Sequence, residues 1–438
     1  MTNNQWASDS LTGNPSTNMK TTVNTTKLIK MAVATAAIAL LAQLQLPAQT
    51  WQTVDDFQYT AGKGAIALGA GLDTQGNLYT AGWAYDAANI QHALVMRSSD
   101  QGVTWATIED YNYRPGTNTC FYGFGVDPAQ NLYAVGLATM TGTPNHWIVR
   151  KSADHGATWT TADDFVPDSG ASDGRNVASG VAADGAGNVY VVGMVHQRVG
   201  KSSYPYQFWV VRKSGDAGAT WTTVDQYGYP NAPESVASAV LATPAGLFVC
   251  GLSVATSSRG PQWVVRKSAN AGTTWTTVDN FYSSTAFNQP YALTADAAGN
   301  VYVGGFSDIN ATGSYAHYWL VRKGTNGGAS WQTVDAFRYF PYPITFAANG
   351  ALAMGTDALG NVYAVGGGTD ANRVCHWVVR ATANQGASWV TVDDFEDVSG
   401  KSSIPHCFGL DAVGDVYVGG FGRDSANVPH WLLRKATP

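Results

Sequence analysis

The polar and apolar positions of this chain alternate in short runs that are separated by turn-forming residues. β-Branched and aromatic residues fill runs such as SVASAVLAT (235–243), NVYVVG (188–193), FWVVRKS (208–214) and WTTVDQY (221–227), and Gly, Asp and Asn bound them. Side chains of this kind favour the pleated, half-buried surface of a sheet. After residue 49 no stretch shows a good helical period. The pattern therefore predicts short β-strands throughout.

The four kinds of run recur together along the chain. Aligned on the Trp that opens the fourth run, the repeats lie 54 to 62 residues apart, at Trp51, Trp105, Trp159, Trp221, Trp275, Trp331 and Trp389. Seven units of four strands predict an all-β fold, a seven-bladed β-propeller of four-stranded blades. In such a ring each sheet packs between two neighbours and leaves only short edges exposed.

The two ends of the repeat are incomplete in a complementary way. The last unit stops at HWLLRKATP (430–438), which is its third strand. The run at 51–57 is of the fourth kind, but no runs of the first three kinds precede it. We therefore expect strand 51–57 to complete the last blade and to close the ring. Residues 49–438 then form one propeller domain.

The N-terminal 48 residues differ from the repeats. Two lysines precede the apolar run 31–41, and a small-residue cleavage site ends at Ala48. This pattern predicts a signal peptide over 1–48, with translation starting at Met1 or at Met19. The apolar run is too short to span a bilayer, and no Cys near the cleavage site offers a lipid anchor. We expect a secreted or periplasmic protein with no membrane span after signal removal.

Composition narrows the range of partners. Only 13% of the residues are charged and the net charge is -6, which argues against nucleic acid because phosphate contacts need a basic face. Four Cys are too few for a disulfide scaffold, although export would permit a bridge between Cys375 and Cys407. No metal-ligand spacing stands out, so no metal and no cofactor is expected.

Some polar and aromatic residues recur at one position of every unit, which favours a role in the fold. The third run carries Trp147, Trp209, Trp263, Trp319, Trp377 and Trp431, with Ala93 in the first unit. An aromatic ring repeated once per blade is expected to pack between sheets. An acid recurs in the fourth run and an Arg in the third. His146, His376 and His430 precede the Trp, and we expect them to pair with the strand-four acids Asp163, Asp393 and Asp55.

The turn between the third and fourth runs has the form S-x-D-x-G-x-T-W. It is complete at 98–105, 152–159 and 214–221, and Asn270, Asn326 and Asn384 replace its Asp in the next three units. Asp and Ser side chains bond the backbone of tight turns, and Gly supplies a positive φ. Asn accepts the same bonds but could not replace a catalytic carboxylate. The motif is therefore interpreted as a structural staple.

This motif resembles the Asp box, or BNR repeat, of sialidase-like and related propellers, and the resemblance covers nearly all of residues 51–438. It implies a propeller fold in which these turns lie on the face opposite the substrate. Proteins of this kind include hydrolases, binding proteins and assembly factors, so the motif does not assign an activity. This chain also departs from the sialidases, which have six blades and a Phe-Arg-Ile-Pro-type segment that is not found here.

The two faces of the predicted ring differ in variability. The strand 1–2 and 3–4 turns, on what we call the second face, are uniform, whereas the 4–1 and 2–3 loops of the first face vary in length and chemistry. Variable loops on a rigid scaffold are where binding sites are built. The predicted ligand-binding residues on this face are Tyr85, Asp86, Tyr113, Arg114, Arg175, Tyr206, Arg259, Asp308, Tyr339, Arg373, Arg423 and Asp424.

Three functions remain open on these observations. The first is an exported, monomeric binding or scaffold module for a glycan or for an extracellular or envelope protein, because Tyr and Arg anchors suit either ligand. The alternative is a sialidase-like glycoside hydrolase, which needs a pair of catalytic groups that the sequence does not identify. The third is a purely structural repeat protein.

Overall fold

The computed structural model describes residues 46, 49–167, 174–198, 206–228, 234–254, 260–282, 287–310, 315–340 and 350–437. Within these residues the chain forms 28 β-strands and no helix, so none is available to cross a membrane. Residues from Leu46 onward form one compact unit. The predicted signal peptide lies outside the described residues, apart from Leu46.

The strands form seven four-stranded sheets, here called blades 1 to 7. The first three blades contain β2 (Ala65–Leu72), β3 (Leu78–Tyr85), β4 (Gln91–Ser98) and β5 (Ala106–Tyr111); β6 (Thr119–Val126), β7 (Leu132–Ala138), β8 (His146–Ser152) and β9 (Thr160–Phe165); and β10 (Val177–Ala183), β11 (Val189–Gln197), β12 (Tyr206–Ser214) and β13 (Thr222–Tyr227). Blades 4 and 5 contain β14 (Ser235–Thr243), β15 (Gly246–Ser253), β16 (Gln262–Ser268) and β17 (Thr276–Phe281); and β18 (Asn288–Ala295), β19 (Val301–Asn310), β20 (Tyr315–Thr325) and β21 (Ser330–Phe337). Blades 6 and 7 contain β22 (Gly350–Thr356), β23 (Val362–Thr369), β24 (Cys375–Thr382) and β25 (Val390–Phe395); and β26 (Ser403–Leu410), β27 (Val416–Arg423), β28 (Pro429–Thr437) and β1 (Thr50–Phe57).

The predicted seven-bladed propeller and its ring closure are confirmed. Strands are antiparallel and in chain order within blades 1 to 6, and blade 7 has the order β26-β27-β28-β1. Thr50 pairs with Thr437 and Phe57 pairs with Trp431, so the N-terminal strand completes the blade that the C-terminal strand leaves unfinished.

The strand-three Trp side chains form the core between blades. All six are fully buried, and the ring of Trp147 in blade 2 reaches the Gly193 backbone of strand two in blade 3. A Cβ on Gly193 would lie 2.9 Å from Cζ3 of that ring and 1.9 Å from the carbonyl oxygen of Val177. Glycine is required at this position because the ring packs directly on the backbone.

Blade 1 differs from the others, and its neighbour compensates for the difference. Ala93 replaces the Trp, and at the facing position of blade 2 Phe121 replaces the small residue, such as Ala178, found in blade 3. Phe121 is fully buried and its ring stacks on Tyr111 of blade 1, with ring centroids 6.3 Å apart. The bulk missing from one side of the interface is supplied from the other.

A second inter-blade contact joins the repeated Arg of strand three to the repeated acid of strand four in the preceding blade. Nε of Arg212 donates to Asp163 at 2.6 Å and Nη2 donates at 3.0 Å, and the guanidinium lies over the Phe165 ring. Equivalent pairs are Arg150–Glu109, Arg266–Asp225, Arg322–Asp279, Arg380–Asp335 and Arg434–Asp393. The interface between blades 7 and 1 carries Met96 where the others carry Arg.

The turns of the second face have the structural role that their sequence predicts. Asp154 accepts hydrogen bonds from the backbone and hydroxyl groups of Thr158, and Asn270 accepts the corresponding backbone bond in its own turn. A Lys of the preceding blade donates to a carbonyl of the next turn, as Lys213 does to Ala271 at 3.0 Å. The four Cys are buried and none of them forms a disulfide, so Cys375 and Cys407 are not bridged.

Candidate functional site

The first face carries clusters of Tyr, His and carboxylate side chains between neighbouring blades. In blade 2, Nδ1 of His146 lies 2.5 Å from Oδ1 of Asp164. Tyr113, on the loop that leaves blade 1, donates its hydroxyl to Oδ2 of Asp164 at 2.9 Å. The Tyr113 and His146 rings are 4.7 Å apart. One carboxylate thus holds a phenol from one blade and an imidazole from the next.

The cluster recurs because its residues occupy fixed positions of the repeat. The His stands directly before the strand-three Trp position, and the Asp stands directly after the strand-four acid. Clusters of the same type are Tyr59–His92–Asp110 in blade 1 and Tyr339–His376–Asp394 in blade 6. In blade 7, His430 pairs with Asp56 at 2.8 Å, and Asp397 stands at the Tyr position.

The four clusters occupy four consecutive blades, 6, 7, 1 and 2, and we call this set the first-face arc. Blades 3, 4 and 5 carry other residues at both positions, with Phe208, Gln262 and Tyr318 in place of His and Gln226, Asn280 and Ala336 in place of Asp. The His and the Asp are thus retained together or replaced together. The arc is therefore a regional feature, unlike the Trp and Arg residues, which occur in six of the seven blades.

Three of the imidazoles have a second carboxylate at the other ring nitrogen. Nε2 of His376 lies 3.0 Å from Glu396, Nε2 of His430 lies 3.4 Å from Asp424, and Nε2 of His92 lies 3.6 Å from Asp86. Carboxylates accept hydrogen bonds and do not donate them when ionised. Each of these rings can therefore donate from both nitrogens once both are protonated.

The carboxylates also set the chemistry of the phenols. The hydrogen bond to Asp110, together with burial, raises the pKa of Tyr59 to about 12. Burial and then Asp164 raise the pKa of Tyr113, and burial and then Asp394 raise the pKa of Tyr339. Negative charge beside a phenol disfavours the phenolate. The three hydroxyls are therefore hydrogen-bond donors at neutral pH.

The arc contains four of the twelve predicted residues, namely Asp86, Tyr113, Tyr339 and Asp424. The structure does not bring the remaining described ones into one cluster. Arg114 lies over the Tyr113 ring and Arg423 donates to the carbonyl of Asn427, so each contacts its own loop. Arg175 and Arg373 are exposed, Tyr206 opens β12, Tyr85 accepts a hydrogen bond from Gln91, and Asp308 is buried and paired with His317. Arg259 lies outside the described residues.

The predicted partners of the His residues are wrong by one position. His146, His376 and His430 pair with Asp164, Asp394 and Asp56, not with Asp163, Asp393 and Asp55. Side chains alternate between the two faces of a strand, so the preceding acid points toward the next blade. Asp163 and Asp393 are bound there by Arg212 and Arg434.

Sequence reasoning did not place Asp56, Asp110, Asp164 and Asp394 in a site. The joint replacement of His and Asp in blades 3 to 5 is the signal that could have found them. Among the described residues, no group of three or more His, Cys, Asp or Glu has the geometry to hold a metal ion.

Comparison with known proteins does not assign a family. No family model and no curated protein sequence matches the chain. The structure is similar to a protein of unknown function from Dyadobacter fermentans (12% identity, covering 89% of this chain and 99% of that one, TM-score 0.48). It is also similar to an α-L-arabinanase from Penicillium chrysogenum (13%, 71% and 91%, 0.46) and to a Trypanosoma rangeli sialidase (12%, 71% and 52%, 0.47). At these values the similarity assigns no activity, and the fold rests on the strand pairing itself.

Proposed function

We propose that this chain is an exported binding module that takes a glycan on the first-face arc. The observation that carries the proposal is that, among the described residues, the His–Asp pairs at these two repeat positions occur in four consecutive blades, three of them with a Tyr on the same carboxylate. A contact needed only for folding recurs in every blade, as the Trp and Arg contacts nearly do. A set of residues confined to one side of the ring suits a ligand that covers that side.

The chemistry of the arc suits a neutral, hydroxyl-rich ligand. The carboxylates have lone pairs left to accept hydrogen bonds from ligand hydroxyl groups, and the phenol oxygens, whose own hydrogens go to those carboxylates, can accept as well. Tyr59 is 37% exposed, so its ring offers an apolar surface next to these polar groups. A few fixed polar groups beside an aromatic surface are typical of small-ligand and sugar sites.

The test is a glycan array probed with the full chain in the processed form that the host secretes. Binding of a defined glycan set is expected, and His376→Gln combined with Asp394→Asn should weaken it by about tenfold or more. Gln226→Asn, at the position of Asp394 but in blade 3, is the matched control and should leave binding unchanged. Absence of glycan binding, or equal loss in the control, would overturn the proposal. Binding of a protein, and of no glycan, at the arc would show that the ligand of this site is a protein.

The alternative, a sialidase-like hydrolase, is tested on the same preparation with a fluorogenic sialoside. The phenols of the arc donate to carboxylates, and the charge around them opposes a phenolate nucleophile. We therefore expect no turnover. A hydrolysis rate proportional to the protein concentration would show that the chain is an enzyme, and the proposal of a binding module without activity would then be wrong.

A further inference from the structure

β1, the N-terminal strand that pairs with the C-terminal strand β28 within blade 7, contributes a carboxylate without its cation to the interface between blades 7 and 1. Asp55 on β1 occupies the strand-four position that binds an Arg in the six other interfaces. The facing blade carries Met96 instead, packed in the apolar cluster that spans this interface. Oδ2 of Asp55 is buried and has no hydrogen-bond partner among the residues that the structure describes.

The nearby cations bind elsewhere. On β28, Arg434 gives Nε and Nη2 to Asp393 and Nη1 to Thr53. Lys435 pairs with Asp415 and Asp411. On β4 of blade 1, Arg97 donates to the carbonyl of His155 in blade 2.

The other titratable groups near Asp55 belong to the first-face arc. Asp56, the next residue on β1, pairs with His430 of β28. On blade 1, His92 is bound to Asp110. Across β28, the register partner of Asp55 is Leu433, which carries no charge. An ionised Asp55 therefore faces apolar groups and one further carboxylate, and such burial of a charge is costly.

We propose that Asp55 makes β1 a pH-sensitive clasp, which holds the ring closed when the carboxyl is protonated and loosens when it ionises. The proposal does not depend on the glycan site. Two features of the structure support it. Asp55 lies on the strand that joins the two chain ends within blade 7, and its interface with blade 1 lacks the Arg–carboxylate pair found in the six other interfaces.

The direction of the effect follows from the pKa of Asp55. Burial, together with the charge of Asp56, raises this pKa from its ordinary value of 3.8 to about 6, against the opposing backbone N–H of Asp56. Between these two values the closed strand keeps a proton that the open strand loses. The closed state is therefore favoured at low pH, and this contribution is lost as the pH rises through about 6. His430 contacts Asp56 and Asp424 and is the imidazole nearest to Asp55 along the β1–β28 pair, so it needs a separate control.

The experiment is hydrogen exchange of the full chain at about pH 5 and about pH 8, either side of the transition, corrected for the intrinsic rate. The equilibrium constant for opening of the β1 amides should increase about tenfold or more from the lower to the higher pH. The comparison is the matched strand β9, whose Asp163 is paired with Arg212. Asp55→Asn should abolish the difference. His430→Gln should retain it.

Three results would overturn the clasp. The first is an equal pH response of β1 and β9 in the unmodified chain. The second is an undiminished response of β1 in Asp55→Asn. The third is loss of the response in His430→Gln, which would assign the titration to the imidazole. Met96→Arg gives an independent measurement, because a guanidinium beside Asp55 should keep β1 closed at both pH values.

Discussion

The interface between blades 1 and 2 allows a test of whether packing volume can be exchanged between facing strands. Phe121→Ala removes a fully buried ring, and Ala93→Trp introduces the ring that six other blades carry at that position. The double variant reproduces the arrangement of the next interface, where Trp147 faces Gly193 and Ala178. If bulk is interchangeable across the interface, the two substitutions should compensate each other.

The magnitudes follow from known costs of core substitutions. Phe121→Ala should lower the free energy of unfolding by about 3–5 kcal/mol, because the lost burial leaves a cavity. Ala93→Trp should lower it by about 1–3 kcal/mol or more, because its ring needs the space that Phe121 fills. The double variant should lie within about 1 kcal/mol of the unmodified chain. The coupling energy is then at least about 3 kcal/mol in favour of the pair.

The assay is equilibrium unfolding of the four proteins in urea, with the midpoint read at a constant slope m. Each transition should be followed both by fluorescence and by circular dichroism, because a large propeller can unfold in more than one step. Coincident transitions are required before the unfolding free energies of the four proteins are compared. Costs that add within about 0.5 kcal/mol would refute the reasoning, because additivity means that the two positions do not share one space.

Three further predictions concern the contacts that recur around the ring. Gly193→Ala should destabilise the protein by about 3 kcal/mol, while Gly185→Ala, whose Cβ would meet open space, should change the unfolding free energy by less than about 0.5 kcal/mol. Asp163→Asn should cost about 3–5 kcal/mol by leaving the Arg212 guanidinium unpaired, and Arg212→Met combined with Asp163→Leu should recover most of that loss in thermal unfolding. Hydrogen bonds from Thr158 lower the pKa of Asp154 from 3.8 to about 2. The contribution of this carboxylate to folding stability is therefore complete above about pH 4 and is lost as the pH falls through about 2. Asp154→Asn should therefore flatten the acid limb of the stability–pH curve, and an unchanged limb would contradict this.

The fold was predictable because its determinants are local and periodic. Alternating apolar residues, turn residues at fixed offsets and one Trp per repeat specify strands, turns and the repeat length within each unit. The incomplete units at the two ends predicted the pairing of β1 with β28, although these strands are distant in sequence. That inference needed only a count of strands, so it did not depend on side-chain geometry.

The site was predictable only to the level of a face. Loop variability indicated the first face, and Tyr113 and Tyr339 do lie in its clusters. The predicted partners of the His residues were wrong by one position, because the alternation of side chains along a strand decides which of two adjacent acids faces the His. The Arg residues share the face, but the loops that carry them hold them apart on different blades, which spacing along the chain does not reveal.

The sequence by itself determined the number of blades, the closure of the ring and the structural nature of the second-face turns, since each follows from a repeat and its chemistry. Only the tertiary structure decided which residues meet between blades. It paired Asp163 with Arg212, filled the space of the missing Trp with Phe121, and left Oδ2 of Asp55 buried without a hydrogen-bond partner among the described residues. Such contacts join residues of different repeats. They depend on the direction in which each side chain leaves its strand and on the packing of neighbouring sheets, which local patterns do not encode.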